Sequence, residues 1–216
     1  MLEVYQDLEL RGDPERRAEL RAALIARANA PWQHNPEKEK ELTQVTPSSG
    51  AIIFQRSATA NFPAASLFLW ENDGGYYVSN IVPIELGSLT QKQYNSLLQD
   101  FAAQIASEAT KDHGFSIFLG KAEKSLEDFV PADVATALKN FSGAANKSTG
   151  ASHPSDQRRW HIFVVRAHQH NIKFDGGTLA RWLHNEAGWP DEIAHNLAVE
   201  YEQGRDLLQF YDNAHK

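Results

Sequence analysis

The sequence contains no cysteine, and this absence excludes several kinds of chemistry. Thiol catalysis, disulfide bonds and cysteine-based zinc sites all require a residue that the chain lacks. Long apolar runs are also absent, since the stretch from Phe62 to Trp70 is far shorter than the roughly 20 residues of a membrane-spanning helix. The N-terminus shows neither the basic nor the apolar region of a secretory signal. We therefore expect a cytoplasmic protein that does not enter a membrane.

A strongly basic region is missing as well. Lys and Arg number 21 against 28 Asp and Glu, which gives a formal net charge of −7. The acidic excess is spread along the whole chain, so no segment offers a basic face for the phosphates of a nucleic acid. A local basic patch would have to come from Arg158, Arg159 and Arg166. We do not expect a nucleic-acid partner, and we regard Arg158 and Arg159 as candidate residues for binding a protein.

The common catalytic and cofactor motifs do not occur. The chain has no Gly-x-Ser-x-Gly, no Walker loop, no Gly-x-Gly-x-x-Gly and no His-Glu-x-x-His. The sequence therefore predicts no cofactor. Asp175-Gly176-Gly177 precedes a predicted helix, and the free amides at the start of that helix offer a place for an anion.

The first 48 residues differ in composition from the remainder. Asp13-Pro14 has the pattern of a helix start, with Asp as the N-cap and Pro at the first helical position. The segment 31–50 is polar, contains three prolines and carries a run of alternating charges, which is typical of a linker. We therefore divide the chain into an N-terminal helix with a polar linker, residues 1–48, and a domain formed by residues 49–216.

Residues 49–216 alternate between strand and helix signals. Asn72–Gly75 is typical of a hairpin turn, and Thr90 with Gln93 fits a capping box. The predicted strands are 51–55, 65–70, 76–84, 115–119 and 159–167, and the predicted helices begin near Thr90, Pro131, Asp175 and Trp189. The stretch 142–157 is rich in small polar residues and predicts a long mobile loop. This order predicts an α+β fold: a mixed, mostly antiparallel sheet with helices packed mainly on one face, plus the N-terminal helical appendage.

Histidines are concentrated near the C-terminus, and two of them are separated by a single residue. If the chain is extended after the predicted strand 159–167, His168 and His170 point to the same face, about 7 Å apart. Two such imidazoles can bind Zn²⁺ when a further ligand, Asp175 or His184, completes the site. The alternative, which we favour, is a pair of solvent-exposed histidines at the end of a strand.

Tryptophan supplies a second set of candidate residues. Trp32 and Trp189 each lie beside a proline in a predicted connection. An exposed tryptophan in such a place is a candidate anchor for a protein interface, whereas a buried one packs into the core. Both readings remain open at this point.

Two classes of function are consistent with these patterns. The first is a non-catalytic module that binds another protein, of the antitoxin, immunity or adaptor type, and its acidic charge favours a basic partner. The second is a histidine-dependent hydrolase, with or without a metal, that uses His168, His170, His184 and Asp175. The lack of catalytic motifs favours the first.

Overall fold

The computed structural model describes residues 1–46 and 50–215, which fold into two compact units. One unit is formed by Glu3–Ala122, and the other by Met1–Leu2 together with Glu123–Lys216. Helices account for 52% of the structure and strands for 18%. The predicted α+β fold is therefore confirmed.

The strands form one large sheet and one small one. In chain order they are β1 (Leu2–Glu3), β2 (Leu8–Arg11), β3 (Trp32–His34), β4 (Ile52–Arg56), β5 (Ala65–Asn72), β6 (Gly75–Pro83), β7 (Ser116–Leu119) and β8 (Glu123–Lys124). The large sheet has six strands in the order β3-β4-β5-β6-β2-β7, and every pairing in it is antiparallel. β1 pairs with β8.

Four of the helices, those that begin at Pro36, Gln91, Pro154 and Gly176, follow a residue whose side chain caps the first turn. In chain order they are α1 (Arg17–Arg27), α2 (Pro36–Val45), α3 (Gln91–Phe101), α4 (Ser107–Lys111), α5 (Ala132–Ala144), α6 (Pro154–Gln169), α7 (Gly176–Asn185) and α8 (Asp191–Ala214). A π-helical segment, Ala102–Ala106, joins α3 to α4. The predicted capping box is confirmed, because the Thr90 hydroxyl accepts from the Gln93 N–H while the Gln93 side chain accepts from the Thr90 N–H.

The core of the 3–122 unit lies between one face of the large sheet and the helices α1 and α3. Alternate strand residues such as Leu10, Phe54 and Leu67 point toward the fully buried Leu20 of α1 and Phe101 of α3. Because the side chains of a strand alternate between its two faces, the helices cover the apolar face of the sheet. The predicted packing of helices mainly on one face is confirmed.

The hairpin between β5 and β6 turns where the sequence predicts. Asn72 pairs with Gly75 across the turn, and Gly75 has a positive φ of 144°. A Cβ atom at Gly75 would lie 2.1 Å from the Leu10 carbonyl oxygen, so the neighbouring strand can approach only a glycine.

Residues 3–46 are part of the 3–122 unit. They supply β2, which lies between β6 and β7, and they supply α1, β3 and α2. The boundary between the two compact units therefore differs from the boundary at residue 48 that the composition predicts. The predicted boundary between residues 48 and 49 itself lies outside the described residues, as do the last residues of the predicted linker.

The polar segment after Trp32 is tied to the sheet by ionic contacts instead of apolar ones. The Glu39 carboxylate of α2 accepts from Arg21 at 2.6 Å and from the Ile53 N–H at 3.0 Å, and it lies 2.7 Å from His34 Nε2. No residue of α2 is buried. Beyond the end of β3, the Glu39 carboxylate therefore accepts the hydrogen bond that a neighbouring strand would accept from β4. This contact protects that part of the sheet edge.

The predicted strand 159–167 is wrong, because these residues belong to the helix α6. Trp160, Phe163, Val164 and Ala167 are buried at spacings of three and four residues, as one face of a helix requires. The sequence 159–167 resembles that of a central strand because Ile162 and Val165, on the outer side of the same helix, are also apolar. The predicted loop 142–157 is correspondingly too long: α5 ends at Ala144 and α6 begins at Pro154.

Candidate functional site

His168 and His170 do not form a shared site. They lie at the C-terminal end of α6. In a helix, two residues in positions i and i+2 are rotated by about 200° from each other around the axis, so their side chains point in nearly opposite directions. His168 Nε2 lies 2.8 Å from an Asp212 carboxylate oxygen, and His170 Nε2 lies 3.0 Å from Asp133. The predicted extended geometry, and with it the zinc site built on this pair, is wrong.

The other two residues of the predicted hydrolase site, His184 and Asp175, also make separate contacts. His184 Nδ1 lies 2.9 Å from the Trp189 carbonyl oxygen, and Asp175 caps α7. Over residues 1–46 and 50–215, no group of three or more His, Asp or Glu side chains is placed to bind a metal. His168 and Asp175 line one open cleft of about 560 Å³, but none of the side chains described around that cleft is a Ser or Thr. The structure therefore does not assemble the predicted catalytic set.

At the start of α7, where the sequence offers a place for an anion, two of the amides donate to the protein's own side chains. The Gly176 N–H donates to Glu202 Oε1 at 2.9 Å, and the Thr178 N–H donates to Asp175 Oδ1 at 2.8 Å. The protein's own carboxylates thus occupy this helix N-terminus. Partial burial raises the pKa of Asp175, but hydrogen bonds from the Thr178 N–H and hydroxyl outweigh it and hold the pKa below its ordinary value.

We expect Asp175→Ala to lower the free energy of unfolding by about 1 kcal/mol near pH 7, because α7 loses its N-cap. A carboxylate whose pKa is lowered by folding stabilises the protein above its unfolded pKa of about 3.9, and this stabilisation is lost as the pH falls through the folded pKa. The difference between wild type and variant should therefore shrink between pH 5 and pH 2.5. Urea denaturation at several pH values measures it. A difference that stays constant over this range would show that the charge of Asp175 has no role.

Trp32 and Trp189 are buried, so the prediction that they anchor an interface is wrong. Trp32 is completely buried, and its Nε1–H donates to Asp100 Oδ2 at 2.8 Å. Trp189 stacks on Phe141 at 5.4 Å, and its Nε1–H donates to the Ser142 hydroxyl at 2.8 Å. Each tryptophan therefore joins parts of its own unit, and a partner protein cannot reach it.

The two candidate arginines lie on α6. Arg158 is exposed, whereas Arg159 Nη1 donates to Asp156 Oδ1 at 2.7 Å. Beside them, Ile162 and Val165 are partly exposed on the outer side of the helix. The binding role of Arg158 and Arg159 stays a prediction.

The last helix exposes a larger apolar surface, which the sequence analysis missed. Leu207 is 69% exposed, Phe210 73% and Tyr211 59%. Their spacing of three and four residues places them side by side on one face of α8. We call the surface formed by Leu207, Phe210 and Tyr211 the outer face of α8.

The outer face is separate from the part of α8 that packs in the core. Ala194, Leu197 and Tyr201 are buried, and Leu208 packs against the same cluster. The signal for the outer face was a second set of apolar residues at helical spacing in the last turns of the same helix.

Negative charge borders the outer face. The 24 residues of α8 include six Asp or Glu and one arginine, Arg205, whose Nη1 donates to the Tyr201 hydroxyl. Asp206 lies one turn before Phe210, and Glu200 lies two turns before Leu207. Neither carboxylate has a hydrogen-bond or ion-pair partner within the described part of the chain. The surface therefore combines exposed apolar side chains with uncompensated negative charge.

Comparisons with family models, with curated proteins and with solved structures give no match for this chain. Among the described residues, no helix combines the length and the apolar character that crossing a membrane requires. The exposed surfaces of the two units are therefore the features that bear on function.

Proposed function

We propose that this protein is a non-catalytic, cytoplasmic module that binds another protein, and that the outer face of α8 receives a basic amphipathic helix of that partner. The observation that carries the proposal is the exposure of three large apolar side chains, Leu207, Phe210 and Tyr211, on one helix face. Large apolar side chains grouped on a surface are typical of protein interaction sites. An antitoxin, immunity protein or adaptor would use such a surface.

The shape of the outer face favours a helical partner. Its residues follow the helix axis at spacings of three and four, so they form a ridge that fits the groove on another helix. A partner helix would bury the same three side chains along about two turns. Fully burying each of them gains about 1.5–3 kcal/mol before the costs of association are subtracted. We therefore expect dissociation constants of micromolar or weaker for a simple model helix.

The charge around the outer face favours a basic partner. Glu200 and Asp206 would meet the lysines or arginines that flank the apolar stripe of a basic amphipathic helix. Complementary charges of this kind raise the rate of association and discriminate against acidic competitors. The cytoplasmic location belongs to the same proposal, since a core packed without disulfides suits a reducing compartment.

A model peptide tests the proposal. The probe is a fluorescent helical peptide of about 18 residues, or five turns, with leucines on one face and lysines on the other. Its counterpart carries glutamate in place of lysine. We expect the Leu/Lys peptide to bind wild type, and we expect the double substitution Leu207→Ser/Phe210→Ser to weaken binding at least about tenfold, equal to 1.4 kcal/mol. Fluorescence anisotropy at physiological ionic strength measures the dissociation constants.

The matched control is Ile162→Ser/Val165→Ser, which removes partly exposed apolar side chains from α6 in a more basic setting. This control should bind the Leu/Lys peptide as wild type does, and wild type should bind the Leu/Glu peptide much more weakly. The proposal is wrong if wild type does not bind the Leu/Lys peptide. Equal affinities for wild type and Leu207→Ser/Phe210→Ser would also overturn it.

A further inference from the structure

The strand β6 extends well beyond the strand that pairs with it on one side. β6 runs over Gly75–Pro83, but β2 pairs only with its residues Gly75–Tyr77. On its other side, β5 pairs with β6 from one end to the other. Residues 78–83 therefore have a neighbouring strand on one side only, and we call their unpaired side the free edge of β6.

A bulge marks the beginning of the free edge. Leu69 lies opposite Val78 and Phe68 lies opposite Asn80, so Ser79 is an extra residue in β6. The next backbone N–H, that of Ile81, donates to the side-chain oxygen of the adjacent Asn80 at 2.8 Å. A side chain thus satisfies a donor that a neighbouring strand would satisfy in a continuous sheet. Bulges are common where pairing ends and beside binding sites.

The protein's own chain is diverted away from the free edge. Before Leu8, the segment that leads into β2 is held by the buried Asn95 of α3, which accepts from the Gln6 N–H and donates to the Val4 carbonyl, each at 2.8 Å. On the other side of the segment, the Gly120 N–H donates to the Asp7 carbonyl at 2.8 Å. The backbone groups of this segment are therefore committed elsewhere and do not continue the ladder along β6.

A cleft of about 500 Å³ lies along the free edge. Residues 78–83 form one side of it, and Tyr5, Tyr94 and Leu89 contribute to the other. Tyr5 and Tyr94 pack edge to face with ring centroids 5.0 Å apart. The volume falls within the range of about 300–1,000 Å³ that is usual for ligand sites.

We propose that the free edge of β6 binds an extended segment of a partner protein by strand addition. The partner segment would continue the sheet beside residues 78–83, a length of about 20 Å, with backbone hydrogen bonds supplying affinity and alternate apolar side chains contacting Tyr5 and Tyr94. This site lies in the 3–122 unit and shares no residue with the outer face of α8. It is therefore independent of the proposed helix-binding function.

The surroundings of the cleft favour a basic residue in the partner segment. Asp7 lines the cleft. Burial raises the pKa of Tyr94, and the nearby charges of Asp7 and Tyr5 raise it further, which agrees with a carboxylate close to the Tyr94 hydroxyl. A lysine or arginine on the partner strand would meet Asp7, so alternating apolar and basic residues suit the site.

The probe for this site is an octapeptide of alternating valine and lysine, with its ends acetylated and amidated. Each edge of an extended peptide presents the backbone groups of alternate residues, so N-methylation of all valines blocks one edge and N-methylation of all lysines blocks the other. We expect one of these two modified peptides to bind at least tenfold more weakly than the parent and the other to bind like the parent. On the protein, binding of the parent should slow hydrogen exchange at the Ile81 amide.

Two serine substitutions supply the matched variants. Ser88 is exposed and lines the cleft, so Ser88→Trp should fill it and weaken peptide binding at least tenfold. Ser57 is exposed and does not line the cleft, so Ser57→Trp should bind like wild type. The proposal is overturned if wild type does not bind the parent peptide, if both N-methylated peptides bind as well as the parent, or if Ser88→Trp has no effect. A wild-type dimer in sedimentation that Ser88→Trp converts to a monomer would also overturn it, because the occupant would then be a second copy.

Discussion

Deletion of residues 3–46 is expected to unfold the 3–122 unit. The deletion removes β2 from between β6 and β7, and it removes the fully buried Leu10, Leu20, Leu24 and Trp32. Loss of a buried leucine costs about 2–5 kcal/mol and loss of a buried tryptophan about 3–5 kcal/mol. These losses together, about 9–20 kcal/mol, are comparable to or larger than the total stability of about 5–15 kcal/mol that is typical of a folded domain.

Hydrogen exchange of individual amides measures this result in the deletion variant. Amides of β4, β5 and β6 should exchange rapidly, whereas those of α6 and α8 should remain protected and serve as the internal control. Protected amides in β4–β6 would contradict the account. They would show instead that the deleted residues belong to a separable appendage, as the predicted division at residue 48 implies.

The second large effect is expected at Asp100, the counter-ion of a buried arginine. Arg56 is only 3% exposed, and its Nε–H donates to Asp100 Oδ2 at 2.9 Å. The same oxygen accepts from Trp32 Nε1, and the other carboxylate oxygen accepts from Gln104 at 2.6 Å. Asp100→Ala leaves the Arg56 charge buried without a counter-ion, so we expect the free energy of unfolding to fall by about 3–5 kcal/mol.

Denaturation in guanidinium chloride measures the loss at Asp100. Glu108→Ala is the control, because Glu108 forms an exposed ion pair with Lys111 and its removal should leave the midpoint unchanged. The double substitution Arg56→Met/Asp100→Leu should be more stable than Asp100→Ala, since apolar residues replace the whole pair. A loss below about 1 kcal/mol for Asp100→Ala would show that water reaches Arg56 and compensates its charge.

The elements that the sequence predicts correctly are those governed by contacts between near neighbours in the chain. The capping box at Thr90, the turn at Asn72–Gly75 and the N-cap at Asp13 each depend on residues only two or three positions apart. The sequence displays both partners of each interaction side by side. Such elements can therefore be assigned without knowledge of the remaining fold.

The errors arise where distant residues or a second apolar surface decide the structure. Ile162 and Val165 make α6 apolar on its outer side, so the run resembles a buried strand. The sequence leaves the burial of Trp32 open, because its partner Asp100 is 68 residues away in the chain. The burial of Trp32 depends on the complete sheet, which composition does not reveal.

The candidate histidine site failed for the same reason as the predicted strand. Once α6 is helical, His168 and His170 diverge, and each meets a carboxylate from a distant helix. The outer face of α8 was detectable in principle. Leu207, Phe210 and Tyr211 have helical spacing. However, the inward-facing residues Leu197 and Tyr201 are enough to predict the helix. A second apolar face is therefore not needed to explain the sequence pattern, and it is easily overlooked.

The most direct test of the central claim is to map where the Leu/Lys helical peptide binds on the folded protein. Backbone amide chemical shifts of wild type, recorded during a titration with the peptide, identify the contacted residues. The account predicts that the largest changes fall between Gln203 and Ala214, on the last three turns of α8. Changes centred on Ile162 and Arg166 of α6, or spread evenly over the surface, would contradict it.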